Sequence, residues 1–160
     1  MLSPLIWLPI VGALITGIAP LSAQQTRNTA IATASLTAAW SLWLFACFDL
    51  TDFSFQIAEK LPWLTALGLD YELGLDGLAL LMVGLNSLLT WVAVYSTTTT
   101  IERPRLYYSL MLIVSSAIAG AFLAQNFLLF FLLYEIELVP LYLLIAIWGG
   151  EKRGYAATKF

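Results

Sequence analysis

The sequence predicts an all-α, polytopic membrane protein with five transmembrane helices and the start of a sixth. Two observations predict this class. The chain is 61% hydrophobic and only 11% charged, whereas about 25% of the residues in soluble domains are charged. In addition, apolar segments of about 20 residues, the length that a bilayer demands, recur along the chain. We therefore expect residues 1–160 to belong to a single transmembrane helical domain.

Five apolar segments are predicted as membrane spans. Met1–Ala23 lacks a basic region and a small-residue cleavage site, so we interpret the first segment as a retained helix rather than a signal peptide. Only Gln125 and Asn126 separate the last two segments, which we therefore expect to form a tight antiparallel helical hairpin. The predicted spans are residues 3–19, 29–48, 76–97, 106–124 and 127–147.

The basic residues are distributed unevenly among the connections. Six of the seven Lys and Arg residues follow the odd-numbered spans, whereas the connection 49–75 contains only Lys60 and several acids. By the positive-inside rule, the N-terminus is predicted on the outer side and the basic connections on the cytoplasmic or equivalent side. Connection 49–75 is long enough for an ordered hairpin or an interfacial segment. Residues 155–160 look like the opening turn of a sixth helix, so we expect a truncated polypeptide.

Two acids interrupt the last span. Glu135 and Glu137 lie near the middle of the helix, and therefore near the middle of the bilayer. A charge at that depth costs at least about 2.5–3.5 kcal/mol, so these acids are candidate groups for proton or ion transfer. Residues i and i+2 of a helix point about 200° apart, so the two acids cannot serve one partner. The structural alternative is that they fix the helix register through hydrogen bonds.

Further polar positions in the spans are weaker candidates. Pro140 cannot donate a hydrogen bond to the carbonyl of Ile136, so we expect a kink and a free acceptor for water in a proton path. Asp76 is predicted to cap the third helix. Other polar side chains could line a water path, although such residues more often tie helices together in lipid; they are Asn86, Ser115, Ser116 and Tyr134.

Composition argues against several classes of site. The chain has no histidine, and its single cysteine, Cys47, can form neither an internal disulfide nor a cluster held by several thiolates. A net charge of −3 without a basic stripe argues against a nucleic-acid partner. The chain also lacks a phosphate-binding glycine loop, and its acids are not spaced as a metal-ligand set. We expect no cofactor or metal in this chain itself.

Several motifs together resemble a known family. Residues 135–142 read Glu-Ile-Glu-Leu-Val-Pro-Leu-Tyr, residues 147–150 read Ile-Trp-Gly-Gly, and residues 152–160 read Lys-Arg-Gly-Tyr-Ala-Ala-Thr-Lys-Phe. With Gly-Leu-Asp-Gly-Leu at 74–78, they resemble the antiporter-like, proton-translocating membrane subunits of complex I-type NAD(P)H/ferredoxin–quinone oxidoreductases. The resemblance is to the chain 4 type of cyanobacteria and plastids, and it covers about residues 70–160.

The resemblance implies a membrane-arm subunit of a large hetero-oligomeric complex. Such a complex couples electron transfer to plastoquinone with proton pumping in the cyanobacterial thylakoid membrane, here with the N-terminus on the lumenal side. Plastoquinone and iron–sulfur clusters are then expected in partner subunits. Glu135 matches the family's proton-transfer glutamate, and Glu137 resembles an additional acid of the photosynthetic branch. These residues would be the N-terminal third of the family chain, and the lysine that partners the glutamate would lie beyond them.

Three functions remain open from the sequence. The first is a proton-pumping subunit of a quinone-reducing complex, with a variant that serves carbon dioxide uptake. The second is a subunit of a multi-chain cation/proton antiporter, and the third is a non-pumping scaffold of a membrane arm. The paired acids and the Trp-Gly-Gly-x-Lys-Arg segment favour the first function. The sequence does not separate the carbon dioxide variant from the respiratory or cyclic one.

Overall fold

A computed structural model describes residues 1–49, 55–64, 68–98 and 100–160. Within these ranges the chain forms helices that are interrupted by one pair of strands. The helices are α1 (Ser3–Ile18), α2 (Ala23–Cys47), α3 (Gly77–Ser96), α4 (Pro104–Leu123), α5 (Phe127–Trp148) and α6 (Arg153–Lys159). The strands, between α2 and α3, are β1 (Ile57–Leu64) and β2 (Leu69–Leu75).

Four of the helices, α2 to α5, are long and apolar enough to cross a membrane. Helix α1 has 16 residues, which corresponds to about 24 Å and is shorter than a hydrocarbon core of about 30 Å. The prediction of a mostly helical, multi-pass membrane protein is confirmed. The predicted count of five spans is not confirmed, because four helices in the described residues are long and apolar enough to cross a membrane.

The prediction of an all-α fold is wrong for the connection between α2 and α3. Strands β1 and β2 pair antiparallel, with Ile57 opposite Leu75 and Leu64 opposite Leu69. An isolated two-stranded hairpin is marginally stable in water. This one is held by tertiary packing, since Leu69, Leu73 and Leu75 are buried in the same apolar cluster as helix residues. Residues 50–54 and 65–67 of this connection lie outside the described residues.

Side-chain caps define where several helices begin. Helix α2 begins at Ala23 rather than at residue 29, because Ser22 and Gln25 form a reciprocal capping box. The predicted cap of α3 is confirmed: the amide of Ala79 donates to the Asp76 carboxylate at 2.7 Å. Asn126 caps α5 in the same way. Because Asn126 starts α5, the connection between α4 and α5 is short. Helices α4 and α5 pack against each other, as the predicted helical hairpin requires.

The connections with most of the basic residues lie together at one end of the bundle. Arg27, near the start of α2, donates to the Thr97 carbonyl at the end of α3 at 2.9 Å. Arg105, in the first turn of α4, donates to the Leu21 carbonyl between α1 and α2. The indole of Trp148 joins the end of α5 to the α3–α4 connection. We call this the basic end.

The β-hairpin covers the opposite end, which we call the acidic end. The Glu59 carboxylate of β1 accepts hydrogen bonds from the amides of Leu2 at 2.6 Å and Ser3 at 3.1 Å. The amide of Gln125, between α4 and α5, donates to the Glu72 carbonyl of β2 at 2.8 Å. Because the first amides of a helix have no acceptor within the helix, Glu59 caps α1 from a distant segment.

Small and hydroxyl-bearing residues join the helices within the bundle. Gly12 of α1 lies so close to α2 that a Cβ atom there would be 2.4 Å from Cγ2 of Thr33. The hydroxyl of Ser116 in α4 donates to the Ile6 carbonyl of α1 at 2.7 Å. Lipid provides no hydrophobic drive between helices, so close packing and such hydrogen bonds provide the contact energy.

We expect Gly12→Ala to destabilise the protein by about 1–3 kcal/mol, the usual cost of overpacking. The added methyl meets Thr33, whose branched side chain is restricted at χ1 and donates a hydrogen bond to the Thr29 carbonyl at 2.9 Å. The measurement is the thermal unfolding midpoint of the detergent-purified protein. Gly17→Ala is the control, because a Cβ there approaches only the small side chain of Ser109, at 3.1 Å from its hydroxyl oxygen. An equal decrease in both variants would contradict the packing argument.

Candidate functional site

Helix α5, which bears the two predicted functional acids, has the smallest buried share of the four long helices. Its fully buried residues are Leu129 and Pro140. Leu133 lies on the same face and packs against α4, since a Cβ at Gly120 would be 2.8 Å from Cδ1 of Leu133. Residues four and seven apart share a helix face, so Leu129, Leu133 and Pro140 form one stripe towards α4.

The two acids project from different faces of α5. Glu137 follows Leu133 by four residues and precedes Pro140 by three, so it borders the stripe towards α4 and is half-buried. Glu135 points about 200° away from Glu137 and is exposed, as are Phe131 and Val139 on the same outward face. The geometry therefore gives the acids separate surroundings.

Both acids lie deep along the helix axis. Glu135 is about 12 Å from Phe127 at a rise of about 1.5 Å per residue, and Glu137 is about 16 Å from Trp148. Within the described residues, neither carboxylate takes part in a hydrogen bond or an ion pair with another side chain. Both acids stay candidate groups for proton transfer.

Pro140 and the weaker polar candidates have different surroundings. Helix α5 continues through Pro140 to Trp148, and the kink expected at the proline stays a prediction. Asn86 of α3 donates to the Ser115 carbonyl of α4 at 2.9 Å, and Ser116 ties α4 to α1. These hydrogen bonds support the alternative interpretation of Asn86, Ser115 and Ser116, in which polar side chains tie helices together. Tyr134 is exposed on α5 and stacks with the ring of a neighbouring phenylalanine.

No group of three or more His, Cys, Asp or Glu side chains that could hold a metal ion occurs in the described part of the chain. Sequence analysis also gave no role to Glu59, which the structure places on the first amides of α1. The chain offers no local signal for that contact, because the partners are main-chain groups 56 and 57 residues away.

The fold is shared with chains of two large membrane complexes. A chain of respiratory complex I from Thermus thermophilus matches 98% of this chain with a TM-score of 0.82 and 24% identity, over 31% of its own length. A chain of the Mrp complex from a Dietzia species matches 99% of this chain with a TM-score of 0.80 and 20% identity, over 17% of its own length. At these identities the likeness defines the class of fold alone.

Curated relatives are more similar to the chain in sequence than the solved structures are. It is 44% identical over 160 residues to NAD(P)H-quinone oxidoreductase chain 4 of a Synechococcus species, and 42% identical over 164 residues to the chain 4 of a Nostoc species. This chain is a homologue of NAD(P)H-quinone oxidoreductase chain 4, and the resemblance found in its motifs is confirmed. The match covers 99% of this chain and about 30% of the length of those relatives. No family model matches the chain.

We expect Glu137→Leu to leave assembly of the full-length protein intact. Glu137 borders the stripe towards α4 without a partner among the described residues, and a half-buried leucine carries no charge to desolvate. The measurement is the amount of assembled complex on a native gel, compared with the isosteric Glu137→Gln. Assembly that survives in the Gln variant and fails in the Leu variant would indicate a structural, hydrogen-bonding side chain.

Proposed function

We propose that this chain is the N-terminal third of a proton-translocating membrane-arm subunit of a photosynthetic-type NAD(P)H dehydrogenase-like complex. The complex couples electron transfer to plastoquinone with proton pumping across the membrane. One observation carries the proposal: the 44% identity to NAD(P)H-quinone oxidoreductase chain 4 along nearly the whole chain. The intramembrane acids of α5 supply the chemistry that proton transfer needs.

In this proposal Glu135 is the proton-transfer acid and Glu137 is a second one. A carboxylate in the middle of the bilayer must find a partner or lose its charge. Glu135 has no partner among the described residues, and it lies on the face of α5 that points away from α4. A cationic group on a later segment of the full-length chain would complete the site. Gain and loss of that contact would then change the protonation of Glu135.

The proposed topology has five spans, with α1 as the first. Helix α1 begins beside Glu59 at the acidic end and leads into the turn that Arg105 contacts at the basic end. It also packs along α4, where Ser109 and Ser116 donate to carbonyls of α1. A helix that connects the two ends of the bundle has to cross the same layer as its neighbours, despite its 16 residues.

Orientation, location and partners follow from charge and from the relatives. The positive-inside rule assigns the basic end to the cytoplasmic side and the N-terminus to the lumenal side of a thylakoid membrane. The Synechococcus and Nostoc relatives support a cyanobacterial setting. Other membrane-arm subunits are the proposed partners, and plastoquinone and iron–sulfur clusters belong to partner subunits. This chain supplies helices and proton-transfer groups and carries no redox cofactor of its own.

We expect Glu135→Gln in the full-length subunit to abolish or strongly reduce proton uptake into membrane vesicles while the complex still assembles. Glutamine keeps the shape of the side chain and removes its ability to gain and lose a proton. The measurement is proton uptake together with quinone reduction in the same vesicles. Glu102→Gln, an exposed acid outside the helices, is the control. Normal pumping in Glu135→Gln would contradict the role and favour the non-pumping scaffold.

A second candidate function is a subunit of a multi-chain cation/proton antiporter. The likeness of the fold to a chain of the Mrp complex favours it. We expect the tagged full-length protein, purified in mild detergent from native membranes, to retain subunits of a quinone oxidoreductase. Recovery of small membrane subunits without a redox arm would favour the antiporter instead. An additional carbonic-anhydrase-like partner would indicate the carbon dioxide uptake variant.

A further inference from the structure

A cavity of about 530 Å³ opens at the basic end of the bundle. It lies between the turn that joins α1 to α2, residues 21–23, and the segment that begins α4, residues 103–106. Two of its lining residues are the basic Arg103 and Arg105, and two are the apolar Leu21 and Leu106. The cavity thus combines positive charge with a hydrocarbon wall. It is separate from the acids of α5.

The two arginines retain unused capacity for hydrogen bonds. Arg105 directs its Nε and one terminal nitrogen to the Leu21 carbonyl, at 2.9 and 2.6 Å, which fixes the side chain beside the turn. A guanidinium has five N–H groups, so others remain for a ligand. The side chain of Arg103 forms no hydrogen bond or ion pair within the described ranges, and the adjacent acid Glu102 pairs with neither arginine there.

The main chain adds to the positive character of the cavity. Helix α4 begins at Pro104, and its N-cap residue, Arg103, makes no side-chain cap. Pro104 has no amide hydrogen, and the next two amides of this 20-residue helix belong to Arg105 and Leu106, which line the cavity and find no side-chain acceptor at the N-cap. This contribution has the same sign as the charge of the two guanidinium groups.

The depth of the cavity is that of lipid headgroups. The indole of Trp148 donates to the Glu102 carbonyl at 2.9 Å, and its ring packs edge-to-face on Tyr107 at a centroid distance of 5.2 Å. Tryptophan and tyrosine mark the membrane–water interface. Residues 102–107 consequently lie where phosphate groups of lipids are found, next to the ends of helices that cross the hydrocarbon.

We propose that this cavity binds the headgroup of an anionic phospholipid, with its phosphate on Arg103 and Arg105 and an acyl chain along Leu21 and Leu106. Arginine matches phosphate with paired N–H groups, and basic pockets between membrane helices on the cytoplasmic side bind anionic headgroups. A soluble phosphate ion would contact only the basic residues of the cavity. A phospholipid would contact the basic residues through its phosphate and the apolar residues through its acyl chain.

The test uses the full-length protein purified with its native partners and reconstituted in phosphatidylcholine nanodiscs. Binding of a fluorescent phosphatidylglycerol is titrated at fixed salt. Removal of one lysine or arginine near a membrane surface costs about 1 kcal/mol, or about fivefold in affinity. We expect about a fivefold loss in Arg103→Gln and a further loss of about fivefold when Arg105→Gln is added. The Arg103 side chain forms no hydrogen bond or ion pair among the described residues, so its variant tests binding even if Arg105→Gln loosens the turn.

Lys152→Gln is the matched control, because Lys152 is exposed at the same end and outside the cavity. We expect it to leave phosphatidylglycerol binding unchanged. Unchanged binding in Arg103→Gln, or an equal loss in Lys152→Gln, would overturn the proposal. Displacement of the lipid by inorganic phosphate at equal concentration would overturn the lipid as the occupant. A structure of the full complex with a protein side chain in the cavity would also overturn the lipid as the occupant.

Discussion

Main-chain groups at the ends of helices have no partner within the helix, and both ends of this bundle depend on contacts that satisfy some of these groups. Charged side chains from one connection bind main-chain groups of another at both ends. Arg27 and Arg105 bind carbonyls at the basic end, and Glu59 binds amides of α1 at the acidic end. These contacts fix which connections lie side by side. The inner faces of the helices are then free to pack through small and hydroxyl-bearing residues.

The sequence predicted the helices well where the bilayer is the dominant constraint. Apolar segments of about 20 residues report membrane thickness directly, so α3 and α5 begin and end within two residues of the predicted limits. The start of α2 was missed, although the Ser22-x-x-Gln25 pattern of a capping box was present in the sequence. The length of connection 49–75 allowed an ordered hairpin, but its strands and its docking on the helices could not be derived from local patterns. Its stability comes from burial of β2 leucines against helices and from the contact of Glu59 with α1.

The candidate site was also predictable in part, because the thickness of the bilayer constrains the length of α5. The depth of Glu135 and Glu137 follows from the length of the apolar segment, and their divergence follows from helix geometry. The face that α5 turns to α4 was not predictable, because α5 is apolar on all sides and has no amphipathic pattern. The buried stripe is set by a close approach at Gly120, where the absent side chain admits Leu133. That contact makes Glu137 the inner acid and Glu135 the outer one.

The outer position of Glu135 is what makes it the stronger candidate for proton transfer. The surroundings of Glu137 are set by α4. Glu135 lies on the outward face of α5, where the proposed function places a later segment of the protein. Helix α6 already returns to that face, since Phe160 lines a cavity with Val139 and Tyr142 of α5. A chain that continues from α6 starts beside the face that bears Glu135. The proposed role of Glu135 in proton transfer requires that its carboxylate exchange partners, and the outward face leaves it unpacked against α4.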